Sequence, residues 1–522
     1  MAPQGFASHT SSASDSSPRI TRSASKRSSS VSKSISPRNG VINVALNGHA
    51  TINTSHTIIK HHRSPTTSDS ENDLLARGPK SAPVSGPSSP TRTKLPKKQH
   101  FKPRLSRLDR ETLEAENNPM RGFFVLFWMS CFFYGTTTMW KSWSEKGVPV
   151  GFQFARLISR DGIGLALSDF AMVLSCFTVV GIQKLIVTFK LPRGAGLLLQ
   201  HIWDSFFLGF AVSWVFYKDW PWVQSGFFVL HAITMLMKMH SYLDYNRELA
   251  YKTSLVEKLS QEHDTLTGDS KKRLEGVDVS TRLEQIQRQL GELDFELSKG
   301  ATYPHNVTVA NFVDYMLIPT LVYELEYPRT LRVRPLYVLE KSLATLGTFS
   351  LLYITVEHYV NPVLDRMPYL SLSDTLIQLL LPFMVCYLLI FYIIFECICN
   401  AFAELTQFAD RDFYQDWWNS TTFDEFARKW NHPVHEFLLR HVYLESIQTY
   451  KLSKNSATFL TFLMSSCLHE LVLVVVGKRI RMYLFVLQML QIPLIYIGRI
   501  PAIRRQKLLG NILFWVSMFL GE

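Results

Sequence analysis

Charge is scarce in this sequence. Only 19% of its 522 residues are Asp, Glu, Lys or Arg, against about 25% in a soluble domain of average composition. Hydrophobic residues make up 47% and aromatic residues 13%. The deficit points to a membrane protein and excludes a wholly disordered chain. Cysteine is also scarce. Cys131, Cys176, Cys386, Cys397, Cys399 and Cys467 stand in apolar stretches without metal-ligand spacing. Neither a disulfide framework nor a zinc site is expected. The N-terminus lacks the apolar h-region of a cleavable signal peptide. No folded nucleic-acid motif accompanies the basic residues.

What is present divides the chain in two. Residues 1–110 hold 18 Lys/Arg and 5 Asp/Glu, whereas the remainder holds 37 and 38. The net charge of +12 therefore belongs to the N-terminal segment, and the rest is close to neutral. The first 100 residues contain 22 Ser and 9 Pro. With so little apolar surface to bury, residues 1–110 are expected to form a disordered tail. Ser17-Pro18, Ser36-Pro37, Ser64-Pro65 and Ser89-Pro90 are candidate sites for proline-directed phosphorylation.

Beyond Arg121 come apolar runs near the roughly 20 residues that a bilayer crossing requires. They lie at about 123–140, 163–187, 195–217, 222–240, 335–359, 374–402, 455–476, 481–500 and 509–522. This predicts an all-α polytopic bundle of eight or nine transmembrane helices over 111–522. The last run ends at Glu522, shorter than the rest, and reads as a truncated span. The basic residues before the first run predict a cytosolic N-terminus. The polar stretch 243–300 would then be cytosolic too. Within it Leu283, Ile286, Leu290, Leu293 and Leu297 recur at heptad spacing, which predicts an amphipathic helix. Asn53 and Asn306 fit the glycosylation pattern but fall in segments placed in the cytosol, so neither is expected to be used.

Ionisable residues within spans are costly and are functional candidates by default. His469 lies near the middle of the run Phe459 to Val476. Ser465 stands one turn earlier on the same face, where its hydroxyl would orient the imidazole. A neutral imidazole in an apolar cavity suits a general base acting on a hydroxyl. Cys467 is two residues away, on a diverging face, and reads as a packing residue. A second concentration of polar and aromatic residues spans 407–435. It suits either an interfacial belt or a site for a polar coenzyme head.

Phe413-Tyr414-Gln415-Asp416-Trp417-Trp418-Asn419 resembles the signature of the sterol and diacylglycerol branch of the membrane-bound O-acyltransferases. Ser465-Ser466-Cys467-Leu468-His469-Glu470 looks like that family's catalytic-histidine segment. Within the branch, Pro319 to Tyr323, Tyr327 to Thr330, Met239 to Tyr242, Leu438 to Tyr443 and Gln488 to Pro493 are similar to the fungal sterol enzymes. The resemblance covers about 100–522. It implies a tunnelled helix bundle in the endoplasmic reticulum membrane, assembled as a homodimer or larger. It also implies transfer of an acyl group from acyl-CoA to a sterol hydroxyl. His469 would be the base and Asn419 its support. Acyl-CoA contacts would fall on Arg428, Asn431, His435, Tyr443, Lys454 and Ser465. Glu425 departs from the family's amide, and a carboxylate there would repel the coenzyme phosphates. Acyl-CoA is a co-substrate, and no metal or other cofactor is expected. The alternatives are a diacylglycerol acyltransferase, which shares the signature, and a transporter or scaffold. The sequence lacks the internal repeat that many transporters show.

Overall fold

The computed structural model describes residues 100–114, 118–119, 121–269, 277–298, 303–501 and 505–521. The Ser-Pro pairs and Asn53 lie outside the described residues. Each of the nine apolar runs carries a helix. Arg121–Lys146, Gly162–Thr188, Arg193–Lys218, Leu372–Leu405 and Lys454–Gly477 are long and apolar enough to cross a membrane. The others are Trp222–Asp269, Pro335–Thr355, Tyr483–Gly498 and Lys507–Gly521. Among the described residues there is no strand, only two isolated bridges, Arg104 with Asp410 and Arg329 with Phe408. A bilayer offers no partners to exposed backbone, so helices that satisfy their own N–H and C=O groups are the expected solution.

Several ionisable and amide side chains inside the bundle are paired. His231 meets Asp169 at 2.6 Å and His240 meets Asp204 at 2.8 Å. The buried Lys238 ammonium donates to the carbonyls of Tyr315 (3.0 Å) and Ile318 (2.8 Å). Lys341 donates to Glu396 at 2.7 Å, both fully or nearly buried. Asn306 is also buried, donating to Asn246 at 2.7 Å.

Trp222–Asp269 is far longer than a membrane span. Its polar C-terminal half packs against Val277–Leu297, the helix expected from the heptad pattern. Ile286, the second residue of that seam, is fully buried. The two helices form a hairpin, tied by Arg282 to Glu262 at 2.8 Å. The seam is thus covered by an extension of a transmembrane helix.

Composition assigns residues 100–110 to the tail, and the structure corrects this. Arg104 N–H donates to the Ala409 carbonyl at 3.0 Å, and Arg411 N–H donates back to the Arg104 carbonyl at 2.9 Å. The Arg104 guanidinium bonds Asp410 at 2.7 Å and Asp412 at 2.6 Å. Ser106 and Asp109 are buried, on Glu396 and Tyr337 respectively. The segment is polar because it pairs with polar partners some 300 residues away, which composition cannot reveal.

Candidate functional site

The helix Lys454–Gly477 starts from a Ser453 side chain that accepts from Ser456 N–H, a regular N-cap. Thr458, Thr461, Phe462, Ser465 and His469 fall on one stripe of it, at steps of three and four. All five line a cavity of about 480 Å³. At 1.5 Å per residue the stripe runs about 16 Å along the helix.

The turn after Gly477 brings the chain back as Tyr483–Gly498. Lys478 and Met482, both at positive φ, make the reversal. Buried Glu470 accepts from Met482 N–H at 2.7 Å and Phe485 N–H at 3.1 Å, which caps the returning helix. Gln488, Gln491 and Arg499 also line the cavity. The sequence reading did not select them as site residues. The available signal was a pair of amides, three residues apart, in an otherwise apolar run.

His469 Nδ1 is 2.8 Å from the Ser465 carbonyl and 3.5 Å from the Ser465 hydroxyl. The carbonyl is therefore the main orienting partner, where the sequence pointed to the hydroxyl. A carbonyl oxygen only accepts, so Nδ1 carries the proton and Nε2 the lone pair.

The other wall comes from Phe423–Lys429 and His432–Phe437, followed by a π-helical turn at Leu438–Leu444. It contributes Arg428, Asn431, His435 and Tyr443 to the cavity. Asn431 also caps its helix, its side-chain oxygen accepting from Val434 N–H at 3.2 Å. Burial, reinforced by the nearby charges of His432 and Arg428, pushes the His435 imidazole down to about 4. Arg428 pairs with Asp424, one turn away.

Five of the six expected coenzyme contacts thus meet His469 in one cavity. Lys454 does not line it. Asn419 is exposed in the 417–419 turn, where its side chain bonds Asp416, and it does not line the cavity either. Glu425 faces elsewhere, accepting from Lys429 at 2.7 Å and from Thr421 N–H at 3.0 Å. Burial pushes its carboxyl up, but these bonds outweigh burial and hold it below the usual range.

The signature supports the wall from behind. Phe413, Tyr414 and Trp417 are buried among Phe391, Phe395 and Phe514. Trp430, which lines the cavity, stacks on Tyr387 at 4.7 Å and meets Trp417 edge-on at 4.7 Å. Gln415 N–H donates to the Lys429 carbonyl at 2.8 Å, and His432 N–H to the Phe413 carbonyl at 3.0 Å. Asp416 meets Lys429 at 3.1 Å. The Trp418 carbonyl accepts from Asn511 and Trp515 at 2.9 and 3.2 Å. The heptapeptide clamps the segment that carries Arg428, Asn431 and His435.

A membrane bundle with a histidine at the end of a polar-mouthed cavity defines a class, and the comparisons agree with it. Residues 209–522 match the model of the membrane-bound O-acyltransferase family, and the chain belongs to that family. It is an acyltransferase and a multi-pass membrane protein. It is 35% identical to the probable sterol O-acyltransferase 1 of Schizosaccharomyces pombe, over 81% of this chain and 84% of that one. It is 37% identical to the probable sterol O-acyltransferase 2 of the same organism, over 77% and 84%. Similarity to the diacylglycerol O-acyltransferase 1 of Dictyostelium discoideum is 34%, over only 42% of this chain and 36% of that protein.

Proposed function

We propose that this chain transfers a fatty acyl group from acyl-CoA to the 3-hydroxyl of a sterol, giving a steryl ester for storage. The observation that carries this reading is the shared cavity of His469 with Arg428, Asn431, His435, Tyr443 and Ser465. Relatives named sterol O-acyltransferases match most of the chain, whereas the diacylglycerol enzyme matches less than half. That difference supports the sterol over diacylglycerol as acceptor.

In this reading Arg428 and Arg499 bind coenzyme phosphates at the mouth. The acyl arm follows the stripe from Thr458 to His469. His469 Nε2 takes the sterol hydroxyl proton as the oxygen attacks the thioester carbonyl. The carbonyl becomes a tetrahedral oxyanion, and an amide of the cavity lining, Gln488 or Gln491, serves as its donor. The C–S bond then breaks, and the leaving sulfur takes the proton from the imidazolium. Asn419 supports catalysis from outside the cavity, by fixing the 417–419 turn through Asp416. The reaction draws on acyl-CoA as co-substrate and on no further cofactor. The coenzyme is water-soluble, which supports a cytosolic mouth. The positive-inside rule gives a cytosolic N-terminus. The endoplasmic reticulum as location, and a homodimer or larger assembly, follow the family resemblance.

The test is an assay of microsomes from cells expressing the chain, with labelled oleoyl-CoA and either ergosterol or diacylglycerol. Labelled steryl ester is the expected product. Triacylglycerol alone would replace the sterol by the diacylglycerol reading.

A further inference from the structure

Outside the acyl-transfer cavity, two helices bring a pair of imidazoles and a carboxylate together. His201 and Asp204 stand three residues apart on the helix Arg193–Lys218, so they share one face. The chain then reverses, and Trp222–Asp269 packs back along this helix. It brings His240 to the same point, with His240 Nδ1 at 2.8 Å from Asp204 Oδ2. One nitrogen of each imidazole and one oxygen of the carboxylate lie within 4.8 Å of one another. The two rings are 6.1 Å apart and inclined by 31°. His201 is exposed, which opens the cluster to its surroundings. His240 stands one turn before Asp244, where the long helix becomes polar, so the cluster lies near the membrane surface.

Hydrogen bonding within the cluster is in conflict. His240 Nδ1 has the Asp204 carboxylate at 2.8 Å and the amide nitrogen of Gln200 at 3.0 Å. A ring nitrogen carries either a proton or a lone pair, so it cannot serve an acceptor and a donor together. The amide cannot be turned round, because Arg247 donates to Gln200 Oε1 at 2.6 Å. Arg247 also pairs with Asp244 and Glu445, so its charge is already matched by two other carboxylates. Asp204 is buried, and among the described residues its Oδ1 accepts no hydrogen bond. A cation held between His240 Nδ1 and Asp204 Oδ2 resolves the conflict and balances the carboxylate. Gln200 then keeps the His240 carbonyl, at 3.2 Å, as its acceptor.

We propose that His201, Asp204 and His240 bind a zinc ion that staples the helix Arg193–Lys218 to Trp222–Asp269. Two imidazoles and one carboxylate suit zinc, whereas magnesium and calcium call for oxygen ligands. The ion replaces the proton between His240 Nδ1 and Asp204 Oδ2. Tetrahedral zinc ligands stand roughly 3.3 Å apart, so this pair has only to open slightly. His201 completes the set by rotation of its exposed side chain, and water takes the fourth position. None of the three residues lines the cavity of His469, so the ion is structural and takes no part in acyl transfer.

The untagged full chain is purified in detergent, stripped with a chelator and titrated with zinc chloride against a chromophoric zinc indicator. The wild type is expected to bind zinc tightly and to unfold at a higher temperature when it does. Loss of an outer partner costs about 10–100-fold in metal affinity, so loss of a ligand in His201→Ala is expected to cost about 100-fold or more. Without metal this variant is expected to unfold at the wild-type temperature, because His201 is exposed and its loss leaves the His240 contacts in place. Asp204→Asn is expected to weaken zinc binding as well. X-ray absorption of the zinc-loaded wild type is expected to show nitrogen and oxygen ligands. Zinc affinity unchanged by His201→Ala would overturn the proposal, as would an unfolding temperature that zinc does not raise. Sulfur ligands would overturn it too, because the ion then sits on a cysteine.

Discussion

The carbonyl of Ser465 leaves His469 one tautomer, with its lone pair on Nε2. Replacing His469 by Ala is expected to lower turnover by about 10²–10⁴-fold, the usual worth of a positioned base. The protein should still fold, because among the described residues the imidazole bonds only within its own helical turn. Near-normal turnover by purified His469→Ala would remove the assignment. Ser465→Ala keeps the carbonyl and is expected to cost much less. Arg428→Ala is expected to raise the acyl-CoA KM roughly fivefold, the worth of about 1 kcal/mol for an accessible ion contact. Lys454→Ala, outside the cavity, should change KM less, and a larger effect at Lys454 would redraw the coenzyme path. His435 gives a pH signature. Its imidazole titrates near 4 when folded and near about 6.5 when unfolded. Between these values the unfolded chain binds the extra proton, so stability falls as pH falls through the window and levels off below it. The loss amounts to at most about 3 kcal/mol. Thermal unfolding from pH 7.5 to 4.5 should show a shallower slope for His435→Gln than for the wild type. Not every histidine with suggestive neighbours is a base. Ser241, His441 and Asp244 stand in a 2.8 Å and 2.8 Å relay that resembles an activated serine. Ser241, however, is fully buried and accepts from Tyr323 N–H, so the relay is a clamp between helices.

At the scale of elements, the site is two helices and a clamped loop. Glu470 caps the helix that returns with Gln488 and Gln491, so the charge next to the base is architectural. Glu470→Ala leaves two backbone N–H groups without their acceptor. It is expected to destabilise by about 1–3 kcal/mol, seen as a lower unfolding temperature in detergent. Glu470→Gln, which still accepts, should recover part of the loss. An unchanged unfolding temperature for Glu470→Ala would mean that the 478–482 turn holds without the cap. The helices were legible from apolar run length, and His469 from its isolation in such a run. Wall residues from Arg428 to Tyr443 were legible only through the family resemblance, because their meeting with His469 is a tertiary contact. Periodicity reports which face of a helix is apolar, not which other helix covers it. The same limit explains the signature. Its aromatic residues read equally well as an interfacial belt or a ligand site, and only the backbone bonds from Gln415 and His432 reveal a clamp. Gln488 and Gln491 were missed as site residues because two amides in an apolar helix are compatible with many structural roles.

Across the whole molecule, the position at which the tail gives way to the fold decides what can be removed. Composition draws the line near residue 110, because basic residues continue to Arg110. Packing draws it before residue 100. Arg104 joins the 409–412 segment through two backbone bonds and two carboxylates, and Ser106 bonds Glu396, the partner of Lys341. Glu396 also accepts from Tyr414 at 2.9 Å, so Ser106 reaches the signature through one carboxylate. Loss of that hydroxyl and of Arg104 leaves charges buried with fewer partners, and an uncompensated buried charge costs about 3–5 kcal/mol. Deleting residues 1–99 is therefore expected to leave activity per folded enzyme nearly unchanged in detergent micelles. The Ser/Pro-rich segment offers little apolar surface to pack. In anionic vesicles the same deletion is expected to weaken membrane attraction by up to about 1 kcal/mol for each basic residue that lies at the surface. Deleting residues 1–110 is expected to lower the unfolding temperature and to abolish activity, because it unseats the signature and with it the wall that carries Arg428, Asn431 and His435. Measuring unfolding temperature and turnover for both truncations separates the two boundaries. A stable and active 111–522 chain would show that the 100–110 contacts are dispensable. Failure of both truncations at equal amounts of folded protein would make residues 1–99 part of the catalytic unit.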